Sequence, residues 1–238
     1  MKIRQLFFDL DRTLWDFETN SKFALSELFR LYHLEDAFEH FIQFHYHYSK
    51  INAELWHAYG DQKITKDELR YERFRKTLAL KNIQDEQLVN KLSDGYVEIS
   101  PKQTALFPGA IETLEELKKE DYRLHIITNG FKEVQDIKLE NCGLKPYFDL
   151  ILCSEEVGVN KPSRGIFNHA LEYTHCKAAH AIMIGDDMKA DIVGALNAGW
   201  SAIHFDPERK FAKEREVPRI RELAEIPDTI CRIPIVES

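Results

Sequence analysis

Apolar residues are spaced differently in the two parts of this 238-residue chain. Over about 17–100 they recur with helical spacing, and residues 1–100 contain no proline and only two glycines. Beyond residue 100, short apolar runs alternate with helical patterns, and all eight prolines and the other eight glycines occur there. Because proline and glycine end helices and mark turns, the first part predicts long helices and the second predicts many short elements.

The short apolar runs predict the buried strands of a parallel sheet. They lie at residues 3–9, 123–127, 149–152, 181–184 and 202–205. The helical patterns after residue 100 cover residues 109–120, 132–141, 164–174 and a last segment from Asp187 to about Ala198. Strands that alternate with helices form a parallel sheet with helices on both faces.

These patterns predict an α/β, Rossmann-like fold with an inserted all-α domain. The expected core comprises residues 1–16 and 101–238, and the expected insertion comprises residues 17–100. The insertion is rich in aromatic residues, which favours a packed helical bundle. A smaller share of these rings is expected to face a substrate cleft and to stack on a planar group.

Composition narrows the class of partner. The chain has 32 Lys and Arg against 40 Asp and Glu, a formal charge of −8, which repels nucleic-acid phosphates and anionic lipids. No apolar run approaches the roughly 20 residues that span a bilayer, and the first residues do not have the pattern of a signal peptide. The four cysteines are far apart, as is typical of reduced thiols. We therefore expect a cytoplasmic protein that binds neither nucleic acid nor membranes.

Polar residues follow four of the predicted strands. Since the carboxyl ends of parallel strands meet at one edge of the sheet, we expect these side chains to gather there. In strand order they are Asp9, Asp11 and Thr13; Thr128 and Asn129; Lys161; and Asp186, Asp187 and Asp191.

The gathered carboxylates predict a cation site. Two carboxylates 4 Å apart repel by about 4 kcal/mol at an effective dielectric constant of 20, so protons or a cation must accompany them. Carboxylate ligands without His or Cys select Mg²⁺. Lys161 and the Thr128 hydroxyl add donors, and together these groups suit phosphoryl transfer. The predicted substrate is a small-molecule phosphate monoester.

Four segments of the chain resemble the motifs of the haloacid dehalogenase superfamily. Residues 8–14, Phe-Asp-Leu-Asp-Arg-Thr-Leu, are similar to its DxDxT motif. The other three are Thr128-Asn129-Gly130, Lys161-Pro162 and the acidic stretch at residues 185–191. The resemblance implies a catalytic core with an α-helical cap of the C1 type, inserted soon after the first motif.

The resemblance also implies a role for each motif residue. Asp9 is expected to be the nucleophile that becomes an aspartyl-phosphate, and Asp11 the acid and base. Mg²⁺ is expected on Asp9, the backbone carbonyl of Asp11, and Asp186. The remaining motif residues are expected to hold phosphoryl oxygens (Thr128, Asn129 and Lys161) or to support the site (Thr13, Asp187 as a possible further ligand, and Asp191 as the residue that orients Lys161).

A narrower resemblance concerns the substrate. Residues 14–17, 128–131 and 161–167 are similar to the pyrimidine nucleoside 5′-monophosphatase group, which implies a nucleoside monophosphate substrate and a base stacked on Trp15, Phe17 or a cap aromatic. Family dehalogenases lack the second aspartate, so Asp11 points to a phosphatase or a phosphomutase. Arg12 departs from the family, where Gly or an acidic residue is commoner.

Other functions remain open at this point. They are a phosphatase of sugar or other metabolite phosphates, a phosphomutase, a phospho-receiver and a non-catalytic binding protein. A receiver has its acceptor aspartate after the third strand, unlike this chain. The mixed charges at residues 208–216 predict a solvated helix. Either a monomer or a homodimer is compatible with the sequence.

Overall fold

The computed structural model describes residues 5–209 and 217–233. The chain divides into two compact units: the first comprises Met1–Phe17 and Thr104–Ser238, and the second comprises Glu18–Gln103. The catalytic and cap roles expected of the core and the insertion stay predictions.

Within the described residues, the first unit contains a sheet of six parallel strands in the order β3-β2-β1-β4-β5-β6. The predicted α/β, Rossmann-like fold with an all-α insertion is therefore confirmed. The strands are β1 (Gln5–Phe8), β2 (Arg123–Thr128), β3 (Leu150–Cys153), β4 (Ala181–Gly185), β5 (Ser201–Phe205) and β6 (Arg219–Ile220).

Strand β1 shows why the sheet is buried on both faces. Successive side chains of a strand point to opposite faces. Leu6 and Phe8 pack in one hydrophobic cluster, whereas Phe7 packs in another. Helix α5 (Ala110–Lys119) contributes to the first cluster and helix α8 (Arg164–Thr174) to the second. Apolar residues without polar alternation are therefore required along the strand.

Among the described residues, five helices of the first unit lie between strands, and a sixth follows β6. They are α5 (Ala110–Lys119), α6 (Lys132–Asn141), α7 (Ser154–Val157), α8 (Arg164–Thr174), α9 (Gly194–Asn197) and α10 (Ile226–Ile230). The segment predicted as a helix from Asp187 to Ala198 begins with wider π-helical turns over Met188–Val193, which lead into α9.

Two predicted segments lie partly outside the described residues, and one short strand was not predicted. Most of the helix predicted at 208–216 lies outside the described residues, as do the first residues of the strand predicted at 3–9. Strand β6 was not predicted, because two residues are too few to show an alternating pattern. It extends the sheet through backbone pairing with β5.

The second unit is helical. Its core is built largely from aromatic side chains of helices α1, α2, α3 and α4, including Phe29, Phe44, Tyr48, Phe74 and Tyr96. No helix within the described ranges combines the length and the apolar character that crossing a bilayer requires. The four helices are α1 (Phe17–Leu31), α2 (Phe41–Gly60), α3 (Lys66–Ala79) and α4 (Glu86–Ile99).

Candidate active site

The chain turns sharply after β1 and places two aspartates on the turn. The Asp9 N–H donates to the Ile184 carbonyl of β4 at 2.9 Å, which continues the sheet pairing. The Leu10 carbonyl then accepts from the Leu14 and Trp15 N–H groups at 3.0 and 2.9 Å. Arg12 lies in this turn with φ of 65°, a left-handed conformation that costs a residue with a Cβ about 1–2 kcal/mol and accounts for the glycine that is commoner here.

Lys161 lies buried between two carboxylates. Its Nζ is 2.6 Å from Asp9 Oδ1 and 2.6 Å from Asp191 Oδ1, and it donates to the Ile127 carbonyl at 2.8 Å. Asp191, the residue expected to orient Lys161, therefore contacts it directly.

Asn129 fixes the backbone of Lys161. Its Nδ2 donates to the Lys161 carbonyl at 3.0 Å, and its Oδ1 accepts from the Lys161 N–H at 2.8 Å. Both ends of the amide are thus engaged within the protein. The expectation that Asn129 binds phosphate stays a prediction, and the contacts seen here assign its side chain to the loop that presents Lys161.

The acidic stretch after β4 contributes three aspartates with different surroundings. Carboxylate oxygens of Asp9, Asp186 and Asp191 lie within 4.8 Å of one another. Thr13 Oγ1 donates to Asp186 Oδ1 at 3.4 Å. The Asp187 side chain instead accepts from two N–H groups of the following helix at 2.8 Å each, so here it caps that helix.

Burial and mutual repulsion raise the pKa values of these carboxyl groups. Burial raises the pKa of Asp9, and Lys161 opposes this effect. Burial, with Asp191 nearby, raises the pKa of Asp186 to about 7, and the pKa of Asp191 is also raised by burial. The pKa of Lys161 is raised although burial alone lowers it, because Asp191 and Asp9 outweigh the effect of burial.

The donor set fits a divalent cation. Three clustered carboxylates face one buried ammonium group, so when all three are ionised Lys161 balances only one of their negative charges. The oxygen-only ligands match the preference of Mg²⁺. Asp9 and Asp186 could supply carboxylate oxygens to the ion, while Asp191 is already engaged by Lys161 and by the Asp187 N–H at 3.1 Å.

Asp11 lies in a separate set of contacts formed by helix α6. Its Oδ1 accepts from Lys138 Nζ at 2.5 Å, and its Oδ2 accepts from Gln135 Nε2 at 2.8 Å. Sequence reasoning missed both partners. The available signal was the i,i+3 spacing of these two polar residues, which share a face of the predicted helix with the apolar Leu139.

Thr128 is tied to the same set of contacts. Its Oγ1 accepts from the Gly130 N–H at 3.1 Å and from Gln135 Nε2 at 2.7 Å. With both acceptor positions occupied, the Thr128 hydroxyl hydrogen is free to donate to a bound anion. A Cβ on Gly130 would lie 2.3 Å from Gln135 Nε2, so glycine is required for this contact.

Known proteins are similar to this chain in sequence and in fold. Residues 6–205 match the family model of the haloacid dehalogenase-like hydrolases. The chain is 31% identical over 235 residues to pyrimidine 5′-nucleotidase YjjG of Escherichia coli (strain K12), covering 98% of this chain and 100% of that protein. It is 34% identical over 209 residues to the ribulose-1,5-bisphosphate 5-phosphatase of Halopiger xanaduensis, covering 86% and 85%.

A solved structure gives the same result. The crystal structure of the HAD-hydrolase YfnB from Bacillus subtilis bound to magnesium has a TM-score of 0.86 and 29% identity, covering 97% of this chain and 100% of that one. All four motif segments lie inside the matched range 6–205. The sequence resemblance is confirmed, and the chain belongs to the haloacid dehalogenase-like hydrolase family.

Proposed function

We propose that this protein is a Mg²⁺-dependent phosphatase that hydrolyses small-molecule phosphate monoesters through an aspartyl-phosphate. One observation carries the proposal. Asp9 lies beside Lys161 and the carboxylates of Asp186 and Asp191. Asp11, two residues away, is held instead by Gln135 and Lys138. Two neighbouring aspartates in such different surroundings suit two different roles, a nucleophile and an acid/base.

The metal-binding part of the proposal uses Asp9, Asp186 and the backbone carbonyl of Asp11. Bound there, Mg²⁺ supplies positive charge that lowers the repulsion between the phosphate dianion and the carboxylates. Lys161 would contribute to the same neutralisation from within the protein, and the Thr128 hydroxyl would donate to a phosphoryl oxygen. Asp191 orients Lys161 through the 2.6 Å ion pair.

The chain's own residues account for the two halves of the reaction. Asp9 attacks phosphorus, the bond from phosphorus to the ester oxygen breaks, and the leaving alkoxide takes a proton from Asp11. A water molecule then gives a proton to Asp11 as its oxygen attacks phosphorus, and the bond to Asp9 breaks. The sum is monoester plus water giving alcohol plus phosphate. An acid at position 11 is required for alcohols, which are poor leaving groups as anions.

The finer proposal is a nucleoside 5′-monophosphate substrate, with the 17–100 segment as a cap. The support is the motif resemblance together with the similarity to YjjG, a pyrimidine 5′-nucleotidase, over nearly the whole chain. The similarity to a ribulose-1,5-bisphosphate 5-phosphatase keeps sugar phosphates as the second candidate class. A cytoplasmic location and a monomer or homodimer remain part of the proposal.

A phosphate-release assay tests the proposal. The purified chain with Mg²⁺ is offered a panel of nucleoside 5′-monophosphates and sugar phosphates, with and without a sugar bisphosphate activator. We expect catalytic release of phosphate that requires no activator and is abolished in Asp9→Asn. Asp136→Asn, which changes a partly exposed aspartate of helix α6, serves as the matched control. Release by Asp9→Asn at a rate near that of the wild type would overturn the mechanism.

A further inference from the structure

We propose that Gln135 and Lys138 are positioning residues that hold the carboxylate of Asp11 for proton transfer to and from the substrate. The inference rests on the proposed function, because it concerns the acid/base of that reaction. Its basis is a set of buried contacts from helix α6 that lie apart from the Lys161 carboxylate cluster.

The two side chains hold both oxygens of Asp11. Lys138 Nζ is 2.5 Å from Oδ1 and Gln135 Nε2 is 2.8 Å from Oδ2. Residues three apart on a helix lie on the same face, so one rigid element supplies both donors. Two donors on separate oxygens fix the plane of a carboxylate, whereas a single donor leaves it free to rotate.

Lys138 has the surroundings of a dedicated partner. Its side chain is only 6% exposed, and Asp11 is its one ion-pair partner among the described residues. The Nζ also lies 4.2 Å from the centroid of the Trp15 ring, a favourable cation–π geometry. A buried lysine is costly unless it is paired, so the position of Lys138 depends on Asp11 as much as that of Asp11 depends on Lys138.

Gln135 links the acid/base to the phosphate-binding side of the site. The same Nε2 that donates to Asp11 donates to Thr128 Oγ1 at 2.7 Å. Gln135 Oε1 is buried and has no hydrogen-bond partner among the described residues. A buried amide oxygen without a partner is unfavourable, so the contacts made by Nε2 determine where this side chain lies.

Positioning has a specific kinetic consequence. A displacement of about 1 Å in a reacting group can cost about 100-fold in rate. Removing Lys138 should therefore slow the steps that use the Asp11 proton and leave other steps nearly unchanged. Attack by Asp9 on an ester whose leaving group is stable as an anion does not need that proton.

Two aryl esters separate these steps. Single-turnover formation of phosphoenzyme is measured with phenyl phosphate, whose leaving group needs a proton, and with 2,4-dinitrophenyl phosphate, whose leaving group does not. For Lys138→Met we expect about a 30-fold to 100-fold loss with phenyl phosphate and little change with the dinitrophenyl ester. The dinitrophenyl ester should then show a burst, because the later attack by water again uses Asp11.

Matched variants control for folding. Lys132→Met removes an exposed lysine of the same helix, whose ion pair is with Glu156, and should lower neither rate. Lys138→Arg keeps a cationic donor and should restore part of the phenyl phosphate rate. Gln135→Met should show the same leaving-group dependence as Lys138→Met, together with a loss common to both esters because Gln135 also contacts Thr128. Thermal unfolding of each variant establishes that it is folded.

The outcomes distinguish the two proposals. Equal losses of Lys138→Met on both esters, or no loss on either, would overturn the positioning role while the phosphatase function stands. If Lys138→Met does not fold, the same comparison made with Lys138→Arg and Gln135→Met decides the question. If the wild type releases phosphate from neither aryl ester nor any monoester of the panel, the proposed function fails and this inference fails with it.

Discussion

Two buried lysines lie beside the two aspartates of the first motif, and their surroundings differ. Lys161 contacts the carboxylates of Asp9 and Asp191 and one backbone carbonyl. Lys138 contacts one carboxylate, that of Asp11, and the face of an indole ring. Lys161 therefore balances part of the charge of a carboxylate cluster, whereas Lys138 forms a local ion pair with Asp11 alone among the described residues.

The largest expected contrast is in catalysis. Lys161→Met should lower kcat/KM for a good substrate by about 10³-fold, the size of effect seen when a donor that stabilises the transition state is removed. Its effect should be similar on phenyl and dinitrophenyl phosphate, because Lys161 is proposed to contact the phosphoryl group rather than the leaving group. Lys138→Met should discriminate between the two esters. Equal discrimination between the two esters by Lys161→Met and Lys138→Met would contradict this comparison of the two lysines.

The same variants should differ in stability. Lys161→Met leaves buried carboxylates without their cation, and breaking such a pair costs about 3–5 kcal/mol. Lys138→Met removes one partner of Asp11, a half-buried residue, and should cost about 1–3 kcal/mol. Urea unfolding of the metal-free proteins measures both values, with Lys132→Met as the control. A larger loss for Lys138→Met than for Lys161→Met would contradict the comparison.

Added metal should act on the Lys161 side. Mg²⁺ at about 100 times its dissociation constant should stabilise the wild type by about 2.7 kcal/mol, which thermal unfolding detects as a rise in Tm. Asp186→Asn should remove most of this rise. Asp11→Asn should retain it, because only the backbone carbonyl of that residue is proposed to hold the ion. A rise in Tm for Asp186→Asn equal to that of the wild type would show that Asp186 does not bind the metal.

His125 in β2 extends the comparison to a buried base without a carboxylate partner among the described residues. Its Nε2 is 2.6 Å from Gln5 Oε1, and its Nδ1 is buried without a hydrogen-bond partner. Burial lowers the pKa of His125 to about 4. The histidine pKa in the unfolded chain is near 6.5. Between pH 6.5 and pH 4, therefore, His125 is protonated in the unfolded chain and neutral in the folded chain.

The sign of this effect is a loss of stability as the pH falls from about 6.5 toward 4. At pH 5 the contribution should be about 1–2 kcal/mol. His125→Gln, which cannot be protonated, should flatten the dependence of the unfolding free energy between pH 6.5 and 5. His169→Gln, at a partly exposed position of helix α8, is the control. An unchanged slope in His125→Gln would show that other groups carry the dependence.

The sequence could predict the site residues that follow strands. Asp9, Lys161 and Asp186 come after β1, β3 and β4, and parallel strands bring such residues to one edge whatever the order of the strands. The alternation of apolar runs and helical patterns predicted the fold class for the same reason. The strand order and the short β6 depend on packing between distant segments and have no local signature.

The residues that were missed lie inside a helix. Gln135 and Lys138 reach Asp11 only because α6 packs with one particular face toward the turn after β1, and helical spacing alone does not say which neighbour a face meets. Asn129 shows the reverse case. The sequence placed it at the site edge, but the direction of its amide follows from the backbone of the Lys161 loop.

Acid-quenched turnover of the wild type, followed by peptide mass spectrometry, tests the central claim most directly. With 2,4-dinitrophenyl phosphate, whose leaving group needs no proton, the account predicts one phosphoryl group on the peptide that contains Asp9. Its level should rise in Asp11→Asn because the attack by water is slowed, and it should be absent in Asp9→Asn. Phosphate release without any phosphorylated peptide, or phosphorylation at another residue, would contradict it.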